Sequence, residues 1–307
     1  MPYAFKPVID GIGYIEIPDG GGFSCVYVVG TPQDALIVDT YLHRTGAQVI
    51  ESLEHAGFKP QGIRGILITH AHLDHFGGAS QLVRWCGAPV SAHLLTAAQV
   101  EDVPGHFAVP LGMSGNLSQW KEYKDHGGES VKVDRILREG DSVTHAGMTF
   151  DVYHTPGHER GLITLHERNR RLIFSGDLIQ GGMDASKNWL GLYSDAAAQR
   201  RSLKRIAELE PEWNFKAHRM PRSHAELRQD FACAGVRVDA IEASLRNTLC
   251  ETPLTVCELA IRVLQDVLGM RSETAPDYAV ISVSAFLIDL ERRGLARQLP
   301  NLTWRSY

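Results

Sequence analysis

The chain has 307 residues, 44% of them hydrophobic, which is enough material for a large domain with a smaller one appended. A formal net charge of −5 argues against a broad basic surface for nucleic acid, and no apolar stretch approaches the length of a membrane-spanning helix. Met1-Pro-Tyr-Ala-Phe-Lys-Pro7 has no basic segment running into an apolar one, so a cytoplasmic location is the default expectation.

In chain order, the runs Ile12 to Ile17, Phe23 to Val29 and Ala35 to Thr40 are short, apolar and punctuated by glycine, and they predict successive strands joined by turns. Helical spacing over residues 44–57 leads into an apolar strand from Ile63 to Ile68, and a second helical stretch covers 79–86. This alternation predicts sheets covered by helices. Cys25, Cys86, Cys233, Cys250 and Cys257 are odd in number and form no CxxC pair. They read as reduced core or helix residues, not as a disulfide framework or a zinc knuckle.

Directly after Ile68 comes Thr69-His-Ala-His-Leu-Asp-His-Phe-Gly-Gly78, which packs His70, His72, Asp74 and His75 into six positions. Imidazole nitrogen and carboxylate oxygen are ligands that zinc-like cations accept at roughly 2.0 to 2.2 Å. On an extended backbone His70 and His72 share one face. Gly77 and Gly78 then supply the flexibility for a turn that brings Asp74 and His75 to a neighbouring point. Two adjacent ligand clusters predict two adjacent metals. A histidine-rich surface loop is the plain alternative, and the placement of four ligands at the end of a buried strand argues against it.

His-x-His-x-Asp-His after a buried strand resembles the defining motif of the metallo-β-lactamase superfamily. That resemblance implies further ligands downstream. His158, in Asp151-Val-Tyr-His-Thr-Pro-Gly-His158, looks like the family's third histidine, and Asp177, which ends Arg171-Leu-Ile-Phe-Ser-Gly-Asp177, like its metal-bridging aspartate. The last histidine is His218, closing Trp213-Asn-Phe-Lys-Ala-His218, although Arg219 follows where the family usually has glycine. His224 is the other candidate. His218 is favoured because it ends an apolar stretch, whereas His224 opens a predicted helix. His154 reads as a hydrogen-bonding residue, and His43, His93 and His166 are given no metal role.

The resemblance implies an α/β fold, the αββα sandwich, with metals in a cleft at one edge of two sheets. It covers roughly residues 10–220, so 1–220 form the expected catalytic domain. Residues 221–307 change character, with helical periodicity over 225–250, from Thr255 to Leu264, and over 279–294. Ser284 to Arg297 resembles the final helix and first wing strand of a winged-helix unit. This region holds ten arginines, no lysine and eleven acidic residues, a net −1. Phosphate binding needs clustered positive charge. The region is therefore expected to cap the active site or support a homodimer in preference to recognising nucleic acid, and no membrane partner is expected.

The implied ligand set divides into His70, His72 and His158 for a first ion, and Asp74, His75 and His218 for a second, with Asp177 bridging. Two cations about 3.5 to 4 Å apart lower the pKa of a shared water, hold hydroxide at neutral pH and polarise the bond under attack. Asp74 is the expected catalytic side chain, orienting that hydroxide or passing a proton to the leaving group. Zinc is the first expectation, and iron or manganese also suits the ligands. The expected reaction is hydrolysis of a small-molecule acyl ester or thioester. Thioesters lead because superfamily members resembling this chain include acyl-thioester hydrolases. Lactone hydrolysis follows, then metal-dependent RNA cleavage. A sulfur-oxidising iron enzyme or a non-catalytic regulatory binder would each be expected to show a reduced ligand set. Residues 180–193, with Met183, Trp189 and Tyr193, are expected to line the pocket unless they pack the core. The Gly- and Pro-rich stretch 100–128 is expected to form a loop-rich lid.

Overall fold

The computed structural model describes residues 1–19, 22–107, 127–180 and 189–307. Strands β1 (Ala4–Ile9), β2 (Ile12–Asp19), β3 (Gly22–Thr31), β4 (Asp34–Val38), β5 (Ile63–Ile68), β6 (Val90–His93) and β7 (Arg135–Leu137) lie in chain order across one sheet. The first four are antiparallel. From β4 onward the neighbours are parallel, which requires crossovers. Helix α1 (Gly46–His55) makes the first, and α2 (Leu73–Phe76) with α3 (Ala79–Cys86) the second. Helices α4 (Leu94–Val100) and α5 (Val103–Phe107) follow β6.

The second sheet holds β8 (Ser142–His145), β9 (Met148–His154), β10 (Ile163–Glu167), β11 (Leu172–Gly176), β12 (Trp213–Lys216) and β13 (Arg222–Ser223). Its neighbours are antiparallel except β11 and β12, whose crossover carries α6 (Ala196–Ala207). Asp195 caps that helix by accepting from Ala198 N–H at 2.8 Å.

Side-chain alternation in β2 and β3 fixes the layering. Tyr14, Cys25, Tyr27 and Val29 point between the sheets, where they meet Phe150, Val152, Phe174 and Phe215. Ile15, Ile17, Val26 and Val28 point the other way, into a core shared with Val49, Leu53 and Leu82 of α1 and α3. The result is the αββα sandwich.

After the sandwich come α7 (His224–Glu251), β14 (Leu254–Thr255), α8 (Val256–Leu268), α9 (Asp277–Arg292), β15 (Ala296–Gln298) and β16 (Thr303–Ser306), the three strands forming a small sheet in the order β14-β16-β15. Thr255 and Glu258 make a reciprocal capping box at the start of α8, and Gly269 in the left-handed conformation ends it. These helices share one core with α6 and the outer face of the second sheet: Leu162, Ile173 and, from α6, Ile206 lie in the same cluster as Leu227, Ile241, Val283 and Trp304. No helix among the described residues is long and apolar enough to cross a membrane.

The stretch expected to form a loop-rich lid begins instead with α5, which carries Pro104 in its first turn, where its missing N–H is tolerated. The rest of that stretch to residue 126, like Met183, lies outside the described residues.

Phe286 in α9 is fully buried and meets Tyr193 edge-on at 5.8 Å between ring centres. Phe286→Ala should cost about 3–5 kcal/mol. Because the core is shared, calorimetry should still record one unfolding transition, at lower temperature; separation into two transitions would mean the C-terminal helices fold independently.

Candidate metal centre

Strand β5 stops at Ile68, and Thr69 to His72 bend away before α2 begins. His70 and His72 therefore do not share a strand face, as extended backbone would have placed them. They converge through different ring atoms, His70 Nε2 lying 3.1 Å from His72 Nδ1. His72 is the extended N-cap residue of α2, and that single helical turn carries Asp74 and His75. Gly77 and Gly78 correct a second expectation. Both have ordinary right-handed helical backbone angles, φ −55° and −82°. Their requirement is steric: a Cβ on Gly77 would stand 2.5 Å from Leu73 O and 2.8 Å from His43 N, and one on Gly78 2.6 Å from Thr40 O.

The second sheet delivers three more side chains to the same edge. His158 follows β9 after the Pro156-Gly157 turn, and its Nε2 lies 3.2 Å from His70 Nε2 and 2.9 Å from His72 Nδ1. Three tetrahedral ligands around zinc stand about 3.3 Å apart. The triangle of imidazole nitrogens matches that spacing to within a few tenths of an ångström. Asp177 follows β11, and His218 follows β12.

His218 is held by a seam between the sheets. Cys25 N–H donates to Ala217 O at 2.7 Å, Arg219 N–H donates to Phe23 O at 2.8 Å, and Ser24 faces His218 as an antiparallel bridge. On this side His218 Nε2 is 3.2 Å from Asp74 Oδ2 and 3.5 Å from Asp177 Oδ1. His75 Nε2 is 3.6 Å from Asp177 Oδ1. Among the described residues, three groups thus bring ligand atoms within 4.8 Å of one another: His70, His72 and His158; His70, His75 and Asp177; Asp74, His75 and His218.

Hydrogen bonds behind the rings decide which nitrogen carries a lone pair. Asp39, buried and in left-handed backbone at φ 59°, accepts from Thr69 N–H, from the Thr69 hydroxyl and from His75 Nδ1–H, each at 2.8 Å. Since the Thr69 proton goes to Asp39, Thr69 Oγ1 accepts from His70 Nδ1–H at 3.1 Å, which leaves His70 Nε2 its lone pair. His158 Nδ1–H donates to Leu192 O at 2.8 Å and frees Nε2 in the same way. Behind His218, the Ser24 hydroxyl donates to Asp19 at 3.1 Å and accepts from His218 Nδ1–H at 3.0 Å.

Charge separates the two clusters. Burial, reinforced by the neighbouring imidazoles, holds His70 well below the ordinary histidine pKa, and burial with His158 beside it lowers His72 to about 3. Burial also lowers His158, against the pull of Asp177. On the other side burial again opposes charge, but the carboxylates outweigh it. Asp177 and Asp74 push His218 up to about 10, and Asp74, Asp177 and Asp39 raise His75. For Asp74 and Asp177 burial works upward, yet His75 and His218 hold both well below the usual carboxylate range. The first cluster offers three neutral imidazoles. In the second, protons stand where a cation would bind.

His224 lies away from both clusters, half exposed at the start of α7, where Nδ1 pairs with Glu212. His154 Nε2–H donates to Arg160 O at 2.8 Å and its ring stacks on His93. His43, His93 and His166 belong to none of the three groups. The Trp189 ring lies against Tyr278, with centres 4.3 Å apart and a tilt of 32°. Tyr193 is fully buried against Phe286, so its side chain packs the core and offers no surface to a substrate. Asp39, Ser24 and Leu192, which the sequence did not single out, orient rings of the two clusters. Only Asp39 left a signal, an acidic residue ending the buried run Ala35-Leu-Ile-Val38.

A family model described as the metallo-beta-lactamase superfamily matches residues 19–218, and the chain belongs to that superfamily. Similar proteins include acyl-coenzyme A thioesterase MBLAC2 of Gallus gallus, 27% identical over an alignment of 221 positions that covers 67% of this chain and 76% of that protein. A hydroxyacylglutathione hydrolase of Bdellovibrio bacteriovorus is 29% identical over 166 residues, 54% of this chain and 53% of that one. Among solved structures, a metallo-beta-lactamase family protein from Thermus thermophilus has a TM-score of 0.75 at 21% identity, covering 98% of this chain and 100% of that one. A beta-lactamase domain protein from Burkholderia ambifaria also gives 0.75, at 17% identity, covering 100% and 96%. At these identities the likeness speaks for the fold, and its coverage takes in the C-terminal helices.

Asp39→Ala would leave three buried donors without their acceptor. It should destabilise the protein by on the order of 3 kcal/mol. Denaturant titration beside elemental analysis should show stability and metal content falling together; an unchanged midpoint would remove Asp39 from its supporting role.

Proposed function

We propose that the chain is a dinuclear metal-dependent hydrolase acting on acyl thioesters. The observation that carries this reading is the position of Asp177. Its Oδ1 faces His75 and His218 at 3.6 and 3.5 Å, while Oδ2 faces His158 at 3.5 Å, so one carboxylate stands between the two clusters. His70, His72 and His158 would hold one ion, Asp74, His75 and His218 the other, and Asp177 would bridge them. The nitrogen and oxygen donors favour zinc and are compatible with iron or manganese. Such ions, when bound, activate water and polarise an acyl carbonyl.

The protein's own groups point to the bond. Asp74 is partly open to solvent, at 26% of its side-chain surface, and accepts from His218 on the other side. It is suited to orient the attacking water. A carboxylate held so firmly ionised is a poor proton donor. That matches a thiolate leaving group, which departs without protonation, better than an alkoxide or a ribose oxygen. Two similar proteins are named for acyl groups on carriers, coenzyme A and glutathione, which supports the same substrate class. The helix–strand–helix–helix–strand–strand order after residue 223 supports reading the C-terminal unit as winged-helix-like. Its net charge of −1 argues against a nucleic-acid partner.

Elemental analysis should find two ions per chain. Asp177→Ala and His218→Ala should each lose at least one, and His224→Ala neither; a reproducible single equivalent in the unaltered protein overturns the dinuclear reading.

Turnover tests the substrate. kcat/KM for a medium-chain acyl-coenzyme A should exceed that for a lactone or single-stranded RNA by about tenfold or more, roughly 1.4 kcal/mol in the barrier. A dominant lactone rate would displace the thioester reading, and RNA cleavage at low enzyme concentration would overturn both it and the reading of the C-terminal charge.

A further inference from the structure

The C-terminal helices reach the candidate metal centre through residues 189–193. Leu192 lies in this segment between Gly191 and Tyr193, and its carbonyl receives the His158 Nδ1–H bond. Ser282 of α9 holds the segment on either side of that carbonyl: its hydroxyl accepts from Tyr193 N–H at 3.1 Å and donates toward Gly191 O at 2.9 Å, sharing its proton with Tyr278 O of its own helix. Ser282 is fully buried, so water does not stand in for these bonds. Gly191 has φ 101°, a conformation reserved for glycine, and a Cβ there would stand 2.5 Å from the Tyr193 hydroxyl. At the start of the segment, Arg237 of α7 donates to Trp189 O at 2.8 Å, and the ring of Tyr278 of α9 lies against that of Trp189 at a 32° tilt.

Leu192 is tied to the metal centre by a second route. Its N–H donates to Gln180 Oε1 at 2.7 Å, and the Gln180 amide nitrogen donates to Asp177 O at 3.2 Å and lies against His158 Nδ1. The backbone of Leu192 is therefore bonded to the His158 ring directly and tied to the main chain of Asp177 through one side chain.

From this chain of contacts we infer that the C-terminal helices are a working part of the metal centre, with Ser282 as the residue that positions Leu192 and, through it, the His158 ring. The inference rests on the reading of His158 as a ligand. It gives the appended unit a task inside its own chain, independent of any partner. A partner that orders a ligating imidazole through its other nitrogen commonly changes metal affinity by about 10- to 100-fold.

The test uses the full-length protein and zinc alone, with affinity measured by competition against a chromophoric chelator. Ser282→Ala should weaken zinc binding at the His70, His72 and His158 site by about tenfold or more, and the His158 Nδ1–H proton resonance should shift or broaden. Ser284→Ala is the control. That hydroxyl makes the same kind of bond within the helix, to Val280 O at 2.7 Å, and has no hydrogen bond to residues 189–193, so zinc affinity should not move. If Ser282→Ala fails to fold, Arg237→Gln loosens the same segment from a partly exposed helix face and should weaken zinc in the same direction. Equal zinc affinity in Ser282→Ala and the unaltered protein overturns the inference while leaving the metal reading intact. An unaltered protein that retains no zinc overturns the metal reading, and this inference with it.

Discussion

A single carboxylate, buried where the antiparallel half of the first sheet gives way to its parallel half, sets the geometry of the site. Asp39 accepts from the backbone and hydroxyl of Thr69 and from His75. Through Thr69 it fixes the proton on His70, and directly it fixes the proton on His75, so one side chain orients a ring in each cluster. Burying a carboxylate is costly, and three donated hydrogen bonds offset that cost. The backbone is strained as well. Asp39 and Tyr41 both adopt left-handed angles without being glycine, at about 1–2 kcal/mol each. That strain lets residues 39–41 lie against α2 and the following glycines. Thr40 N–H donates to His75 O at 2.6 Å, and Gly78 N–H donates to Tyr41 O at 2.8 Å.

The two clusters inherit opposite electrostatics from this arrangement. Where three imidazoles crowd together away from solvent, desolvation strips them of protons and leaves lone pairs facing inward. Where Asp74, Asp177 and Asp39 stand around the rings, protons gather on His75, and Asp177 and Asp74 hold one on His218. A cation entering the first cluster at neutral pH meets ligands already deprotonated, whereas one entering the second must displace protons. The asymmetry comes from the ratio of carboxylates to imidazoles on the two sides of Asp177.

What could be read from the sequence follows the distance over which each contact is made. His70, His72, Asp74 and His75 stand within one turn and a bend, so their spacing alone announced a cation site. His158, Asp177 and His218 come from separate strands of the second sheet and were reached through resemblance to the superfamily. Asp39 acts across 30 and 36 residues, and Ser282 across about 90, distances at which neither period nor motif leaves a trace. Gly77 and Gly78 were visible but misread, because a missing Cβ looks the same whether it frees a turn or admits a neighbouring backbone. Among the strands, β1 has no fully buried residue and β7 is only three residues long, so neither shows an apolar alternation. In β10 the polar side chains of His166 and Glu167 are buried with the rest, which hides the pattern from the other direction.

The seam that holds His218 does more than place one side chain. With Cys25 bonded to Ala217 and Arg219 to Phe23, the edge of β3 continues the backbone ladder of the second sheet past the end of β12. The two faces of the sandwich are thereby stitched at this corner by main-chain bonds that do not depend on the core between them. Fluctuations that part these few amide bonds separate His218 from Asp74 and Asp177 while leaving His70, His72 and His158 together. The centre therefore comes undone from one side first, and the exchange rates of the Cys25 and Arg219 amide hydrogens mark how often that corner opens.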